Sequence, residues 1–476
     1  MAYDYLHGLE TLELNDGVRP IQLVKSNVIG LIGTAPDADE TLFPLNKPVL
    51  LAANPVLAQK LGVAGTLLDS VNGIYSQGSA TVVIVRVAQG QTRNETWSNL
   101  VGTVTAKTGV WAFLKARPLL KLIPKILIAT GHTEERPSDG LVAAELTSSG
   151  AGYDARTTKV TFAAAPANGR TAEGTAQVVG GKVTGITVTD PGFGYTAAPA
   201  VTITGDGTGA AATASLGYAA NPVAKALEAM TKRLRAVAFV DGPGTSYEDA
   251  VQYRDDFDSM RLAVIDPGVL VWDTVTSQYI ARPGSAHAAG LQARIDAELG
   301  YWYSFSNEEI QNIGGPGRPV DYMYSDKDCE ANLLNMNRVI TVVHDEGFRF
   351  WGLRSTSTDN LWSFLSVRRT ADMIYEAIER AHRPFIGKPF SFALLDAIEE
   401  SVNGFLRTLI SRGALIGGRC TIDPTVNTKD TFVQGELIVD FDLEPPAPLE
   451  HLIFQARRNP NYYTDFIETF SSQLQS

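Results

Sequence analysis

The candidate catalytic residues of this chain have a spacing that favours structural roles. Gly244-Thr245-Ser246 precedes a predicted helix, as the nucleophile does in one class of serine proteases, and Asp266 and His287 would be its partners. A catalytic triad is defined by geometry, which a sequence cannot supply. The stretch 246–249 has the S-x-x-[DE] form of a capping box, in which the Ser246 side chain accepts hydrogen bonds from the first turn of a helix. We therefore predict that Ser246 caps a helix, and a serine hydrolase is the remote alternative.

The other residues that could do chemistry also lack a matching pattern. The glycine-rich stretch 205–209 leads into an alanine-rich segment, and the chain contains no G-x-x-x-x-G-K-[ST] motif, so a β-turn is favoured over a phosphate site. The six His residues include no pair at helical i,i+4 spacing, which argues against a metal site. Cys329 and Cys420 form no CxxC pairing and are expected to be buried, unreactive thiols. We predict no catalytic residue, cofactor or metal, and hence no enzyme.

The composition limits the classes of partner. The 476 residues carry 40 Lys and Arg against 52 Asp and Glu, a formal net charge of −12, without the basic surface of a nucleic-acid-binding protein. No stretch approaches the roughly 18 apolar residues of a membrane span, and the N-terminus does not resemble a signal peptide. We expect a protein that is made in a cytoplasm and contacts neither nucleic acid nor membrane, with about three domains.

The elements that would position these residues indicate an α/β core. Apolar strands at 28–32, 81–85 and 125–129 alternate with helices, and the pattern repeats as helix 222–235 and strand 236–240. Such alternation predicts a parallel or mixed sheet with helices on both faces. The core is expected to be discontinuous, comprising 26–147 and 221–320.

An inserted domain and a C-terminal domain complete the predicted organisation. Residues 148–220 are rich in Gly and Ala with period-2 apolar runs, which predicts a small all-β domain inserted into the core. Residues 321–447 are predicted to be α+β, with helices at 364–383 and 391–412 and a strand at 435–443. On the first helix, Glu376 is spaced for a pair with Arg380, and Glu379 for a pair with Arg383.

Both ends of the chain are predicted to be extended arms, over 1–25 and 448–476. The segment 451–457 has Leu452, Phe454 and Ala456 at alternating positions beyond a proline-rich linker, and an extended segment precedes the core. Tethered strands of this kind can pair with neighbouring copies of a protein or with their own domain. The sequence leaves these two possibilities open.

Several motifs resemble the tail sheath proteins of contractile-tailed phages, the class typified by phage P2 and the R-type pyocins. In the C-terminal half these are Trp351-Gly352-x-Arg354-Ser355, the 367–372 stretch VRRTAD, Asn427 with Lys429, and the 448–450 stretch PLE. Upstream, HAAGLQARIDAELGYWYSFSN is similar to a sheath motif, with Phe305 where the family has proline. The resemblance covers most of the chain outside 148–220.

This resemblance implies a structural subunit with a subtilisin-like sheath fold. It would assemble as stacked hexameric rings around a tail tube, contact baseplate and tail terminator proteins, and contract to drive the tube through the host envelope. It would be located in the virion tail after assembly in the host cytoplasm. A bacteriocin or secretion-type injection system is the alternative setting. The 148–220 insert would lie outermost, and the C-terminal domain innermost against the tube.

The resemblance also implies residues for two kinds of contact. Arms of adjacent subunits would exchange strands with a C-terminal sheet. The residues predicted for this exchange are Leu12, Leu14, Val18, Ile21, Leu437, Val439, Phe441, Leu452 and Phe454. Some members of the densest basic group of the chain are predicted to face an acidic tube surface, the alternative being solvated or intrahelical pairs. Its members are Arg368, Arg369, Arg380, Arg383 and Lys388.

Overall fold

The described chain, residues 21, 22 and 24–474 of a computed structural model, is built around one eight-stranded sheet. Its first part alternates apolar strands with helices, because continuous Val and Ile runs can bury both faces of a strand. These elements are β1 (Val28–Thr34), β2 (Pro48–Ala52), α1 (Pro55–Gln59), α2 (Leu67–Gln77), β3 (Thr81–Val87), α3 (Arg93–Val101), the 3₁₀ helix Gly109–Lys115, α4 (Ala116–Leu120) and β4 (Ile126–Ile128).

An all-β segment follows β4. Its strands are β5 (Gly140–Ala151), β6 (Lys159–Phe162), β7 (Glu173–Val179), β8 (Lys182–Asp190), β9 (Val201–Thr204) and β10 (Thr208–Gly217). β5 and β10 pair antiparallel as a two-stranded stem, and the other four form a sheet in the order β8-β7-β6-β9. The stem begins at Gly140, upstream of the position 148 at which the composition changes. A small apolar cluster that includes Val160, Phe162 and Tyr195 lies inside this segment.

The chain then returns to the core. This part contains α5 (Pro222–Leu234), β11 (Val237–Asp241), α6 (Tyr247–Asp255), β12 (Leu262–Ile265), β13 (Val269–Asp273), β14 (Gln278–Arg282), α7 (Ser285–Glu298), β15 (Gly315–Pro316), α8 (Glu330–Met336), β16 (Val339–His344) and β17 (Phe348–Trp351).

The central sheet has the order β17-β16-β12-β11-β4-β1-β3-β2. Its six inner strands are parallel, and the edge strands β17 and β2 are antiparallel to their neighbours. Separate apolar clusters cover the two faces, one with α2 and α7 and the other with α3 and α5. This confirms a mixed α/β core. Because β16 pairs with β12, the sheet also includes strands from the segment 321–447.

The C-terminal region is mainly helical. It contains α9 (Leu365–His382), the 3₁₀ helix Arg383–Phe385, α10 (Phe392–Ser411), β18 (Cys420–Thr421), α11 (Lys429–Val433), β19 (Asp440–Phe441) and α12 (Tyr462–Leu474). The strand predicted at 435–443 is wrong in extent, because only β19 forms. The backbone of Ile438 is instead hydrogen-bonded to the Asn427 side chain. The segment 451–457 forms no strand within the single chain.

A glycine allows close contact between two helices on one face of the sheet. α7 crosses α2 at Gly290, where a Cβ atom would lie 2.4 Å from the carbonyl oxygen of Ile74. That separation is far below van der Waals contact, and the obstacle is backbone, so a side chain there would push the helices apart. The glycine in the motif HAAGLQARID therefore has a packing role.

We predict that Gly290→Ala destabilises the protein by about 1–3 kcal/mol through overpacking, measured as the free energy of unfolding in urea. The matched control is Gly404→Ala in α10, where the added Cβ would meet only the end of the Arg407 side chain at 3.7 Å. This control should be neutral or stabilising by about 0.5–1 kcal/mol, since alanine is the better helix former. Equal effects at both positions would contradict the packing role.

Candidate functional site: the junction of the core and the C-terminal region

The three residues of the candidate hydrolase do not form a catalytic group. The Ser246 hydroxyl accepts a hydrogen bond from the Asp249 backbone N–H at 3.1 Å and caps α6, as the capping box predicts. The Asp266 carboxylate accepts hydrogen bonds from the Gly244 N–H at 2.6 Å and from the Arg318 guanidinium at 3.1 Å. Among the described residues no hydrogen bond connects Ser246 with either proposed partner. The alternative of a serine hydrolase therefore lacks the hydroxyl–imidazole contact that activates a nucleophile.

The electrostatics of these residues also differ from those of a catalytic pair. Burial lowers the pKa of His287 to about 4, so its ring is neutral at pH 7. Burial raises the pKa of Asp266, and the Gly244 N–H and Arg318 oppose that shift. Within residues 21, 22 and 24–474, no group of three or more His, Cys, Asp or Glu side chains could hold a metal ion. Over the same residues, no helix is long and apolar enough to cross a membrane.

The two arginines at the start of α9 bind carboxylates of their own chain. Arg369 donates two hydrogen bonds, of 2.9 and 2.5 Å, to the Asp296 carboxylate on α7. Arg368 donates to Asp372 one turn later on α9 at 2.8 Å, and Arg261 donates two further bonds to Asp372 at 2.9 and 2.6 Å. The first turns of α9 are thus joined to the core by paired, buried charges.

Burial corrects the prediction that Arg368 and Arg369 face the tail tube. They are only 6% and 5% exposed, and their guanidinium groups are already paired with Asp372 and Asp296. The Arg368 guanidinium also lies over the Trp362 ring, 4.3 Å from its centroid. Neither residue contributes a free positive charge to the surface. The other three members of the basic group, Arg380, Arg383 and Lys388, are exposed.

The second half of α9 is tied to the core in the same way. The predicted intrahelical pairs are wrong, because both glutamates turn towards basic residues of the core: Glu376 pairs with Lys125, and Glu379 with Arg235 at 2.6 Å. Burial lowers the pKa of Lys125, and the adjacent Glu376 carboxylate opposes this shift. Lys125 precedes β4 and Arg235 follows α5, so α9 contacts the core along most of its length.

Another ion pair holds the start of the C-terminal arm. Arg354 donates hydrogen bonds of 2.8 and 2.6 Å to the two carboxylate oxygens of Glu450. Arg354 also donates to the Ser363 hydroxyl at 2.7 Å and lies over the Phe364 ring. The geometry is bidentate, which favours arginine over lysine at this position. The arm therefore leaves the body of the protein directly after Glu450.

The Asn427 side chain makes hydrogen bonds to backbone groups in a part of the C-terminal region where a strand is predicted. Its amide nitrogen donates to the carbonyl oxygens of Asp423 and Ile438 at 2.9 and 2.8 Å, and its amide oxygen accepts from the Ile438 N–H at 2.8 Å. Residues 423–427 are thereby joined to the chain that leads into β19. An apolar side chain could not make these bonds.

The C-terminal sheet is small and open. It consists of β18 and β19, extended only by an isolated bridge between Gly417 and Glu444. One side of it lies on an apolar cluster of α9 and α10. Val439, Phe441 and Ile21 pack against this cluster while remaining partly exposed. The short strands leave unpaired backbone groups at the edges of the sheet.

The residues predicted for strand exchange fall into three groups. Leu12, Leu14 and Val18 lie outside the described residues. Ile21, Val439 and Phe441 pack against the C-terminal cluster, and Leu437 is half-buried. Leu452 and Phe454 are exposed on an extended segment, all of whose residues from 451 to 461 are exposed.

These features define the class of protein. In the described part of the chain, an α/β core carries a C-terminal region with an open two-stranded sheet and an exposed arm after Glu450, an architecture suited to a subunit of a larger assembly. Family models agree and together match most of the chain: phage tail sheath C-terminal domain at 357–458, phage tail sheath protein central domain at 210–356, and tail sheath protein Gp18 domain III N-terminal region at 27–87.

Individual relatives indicate the same family. The chain is 33% identical to the tail sheath protein of Burkholderia phage BcepMu, with 97% of this chain and 98% of that protein covered. It is 29% identical to the tail sheath protein of Escherichia phage P2, with 98% and 99% covered. The chain belongs to the phage tail sheath protein family. It is a structural component of a contractile phage tail and not an enzyme.

Solved structures support the fold. The helical sheath of the anti-feeding prophage in its contracted state matches with a TM-score of 0.59 at 15% identity, covering 96% of this chain and all of that one. The sheath of an extracellular contractile injection system, also contracted, matches with a TM-score of 0.56 at 15% identity. At this level of identity the likeness concerns the fold alone.

The buried ion pair predicts a large and coupled effect on stability. Replacing Arg369 by Met or Asp296 by Leu should each cost about 3–5 kcal/mol, because each leaves an uncompensated buried charge. The double variant should cost less than the two single costs added, since no charge then remains. A double-mutant cycle on the free energy of unfolding measures this coupling.

The control for that cycle is the surface pair Arg407–Glu400 on α10, whose side chains are 62% and 68% exposed. Solvent and salt screen such a pair, so its coupling should be at most about 1 kcal/mol. Strictly additive effects at Arg369 and Asp296 would show that the pair does not join α9 to the core.

Proposed function

We propose that the protein polymerises as stacked hexameric rings around a tail tube, and that contraction of this sheath drives the tube through the host envelope. Baseplate and tail terminator proteins are the proposed partners at its two ends. The observation that carries the proposal is the pairing of an open C-terminal sheet with an exposed extended arm in the same chain. The same assembly would serve a bacteriocin or secretion-type system, which differs in what the tube delivers.

Strand exchange between adjacent subunits would use these two features together. The arm after Glu450 has Leu452 and Phe454 at alternating positions, which would place both on one face of a strand, with Ile453 and Gln455 on the other face. β18 and β19 offer free edges, beside a cluster that Ile21 also contacts. An added strand would satisfy backbone groups of the edge and cover part of this cluster. The N-terminal arm would do the same through Leu12, Leu14 and Val18.

We propose a layered arrangement of the domains. The discontinuous core, 26–147 and 221–320, would have the subtilisin-like sheath arrangement, and the C-terminal domain at 321–447 would lie innermost. The insert of 148–220 would lie outermost. Its attachment through the antiparallel stem of β5 and β10 supports this, because two strands leave and re-enter the core side by side. Arms at 1–25 and 448–476 would connect neighbouring subunits.

Contact with the tube is proposed for the exposed part of the basic group. Lys388 follows α9 and the 3₁₀ helix after it, and it makes no ion pair with any other described residue. Arg380 and Arg383 are also exposed, but they line a groove between α9 and the core, whereas Lys388 does not. We therefore retain Lys388 as the candidate tube-facing residue. A single exposed charge gives a weak contact that can break during contraction.

We predict that replacing Leu452 and Phe454 together by Asp abolishes sheath assembly while leaving the monomer folded. Both side chains are exposed in the single chain, so their loss costs no packing there, whereas charges on the apolar face of an added strand would be buried. Electron microscopy would count striated cylinders, and circular dichroism would check the fold. Deletion of 1–20 or of 451–476 should likewise leave soluble monomers.

The matched control is Gln455→Asp, which places a charge on the other face of the same segment. It should still form sheaths. Normal sheaths from the Leu452 and Phe454 variant would refute strand exchange through the C-terminal arm.

A further inference from the structure

The last described helix, α12, has an apolar face that no other described part of the chain covers. Its large apolar residues lie on one stripe at helical spacing, and each is more than half exposed: Tyr462, Tyr463, Phe466, Ile467 and Phe470. The charged residues of the helix are Asp465 and Glu468, with no Lys or Arg. α12 is therefore an acidic amphipathic helix, and its apolar stripe requires a partner.

A groove with the opposite charge lies between the core and α9, which we call the α9 groove. It has a volume of about 1230 Å³ and is lined by apolar residues that include Phe113, Leu122 and Leu234. Basic residues surround them: Lys25, Arg117, Lys121, Arg233, Arg380 and Arg383. None of these six makes an ion pair with another described residue. The two acidic residues of the lining, Glu376 and Glu379, are already paired with Lys125 and Arg235.

The exposed face of α12 and the α9 groove are complementary in apolar character and in charge. An amphipathic helix that lies in an apolar groove is a common mode of recognition, with anchors at i, i+3, i+4 and i+7. Each of the four aromatic rings of α12 can bury about 150–250 Å², which together approaches the roughly 800 Å² per partner of a stable interface. The unpaired cations of the groove would offset the acidic residues of the helix and orient it.

We propose that α12 of one subunit docks in the α9 groove of a neighbouring copy of this chain, which rests on the proposed assembly into a sheath. The segment 451–461 between Glu450 and α12 is exposed throughout, and eleven residues would span at most about 40 Å if fully extended. This tether is long enough to cross a subunit boundary. Docking would add a helix contact to strand exchange, and it assigns Arg380 and Arg383 to the neighbouring subunit.

Cross-linking tests the contact directly. One preparation carries Phe466→Cys on α12, and a second carries Ile386→Cys, at an exposed residue that lines the groove. The two are mixed, assembled into sheaths and treated with a short bismaleimide. A covalent dimer containing one chain of each kind is expected. Thr464→Cys, on the opposite face of α12, is the matched control and should give at least several-fold less dimer. Cys329 and Cys420 are buried, so the unsubstituted protein should give none.

A charge exchange tests the complementarity. Asp465→Lys with Glu468→Lys, or Arg117→Glu with Lys121→Glu, should each lower the fraction of protein in sheaths several-fold at low salt. Combined in one chain, the four substitutions restore opposite charges on the helix and the groove. This quadruple variant should regain most of the lost fraction of protein in sheaths. Recovery would not occur if the groove bound an acidic tube protein instead, because the reversed groove would still repel the tube.

The outcomes separate this inference from the proposed function. Failure of the unsubstituted protein to form sheaths refutes the assembly itself. If sheaths form but the Phe466→Cys and Ile386→Cys chains give no covalent dimer, the docking of α12 is refuted and the assembly into a sheath is not. A chain carrying both cysteines that cross-links within itself as a dilute monomer would show that α12 occupies the groove of its own subunit, and it would also overturn the proposal.

Discussion

The ion pair between Arg369 and Asp296 determines where α9 lies, and the position of α9 determines the rest of the C-terminal region. Both side chains are removed from water, so each charge is stable only with the other in place. Asp372, Glu376 and Glu379 add contacts to Arg261, Lys125 and Arg235 along the same helix. Because these charges must be matched together, α9 has one position against the core.

Everything after α9 depends on that position. α10 packs on α9 through the apolar cluster that also supports the two-stranded sheet, and Arg354 then anchors Glu450 at the start of the arm. A firmly held base and an unattached arm suit a subunit that must stay connected to its neighbours while it moves. A dense group of exposed apolar residues lies beyond this base, at Leu452, Phe454 and along α12. A monomeric protein seldom exposes so many large apolar side chains in one region.

Sequence patterns identified the core elements well and the C-terminal contacts poorly. The strands β1, β3, β4 and β12 are runs of branched apolar residues, so their burial follows from local composition. The i,i+4 spacing of charged residues on α9 predicts the wrong ion-pair partners, because such spacing is decisive only when no stronger partner is near. Glu376 and Glu379 have such partners in Lys125 and Arg235, which are more than a hundred residues away in the chain. Two of the family motifs, VRRTAD and HAAGLQARID, are far apart in the sequence, and only the fold joins them through the ion pair of Arg369 with Asp296.

The sequence by itself determined the α/β class of the core, the absence of a motif for bond chemistry, the capping role of Ser246 and the membership of the sheath family. These properties depend on local patterns or on short motifs, which can be recognised without knowing the tertiary contacts. Only the tertiary structure decided that Arg368 and Arg369 are internal, that β16 and β17 belong to the core sheet, and that a basic groove lies beside α9. Each of these depends on pairs of residues far apart in the chain, and burial of a charge is a property of the assembled fold rather than of the residue.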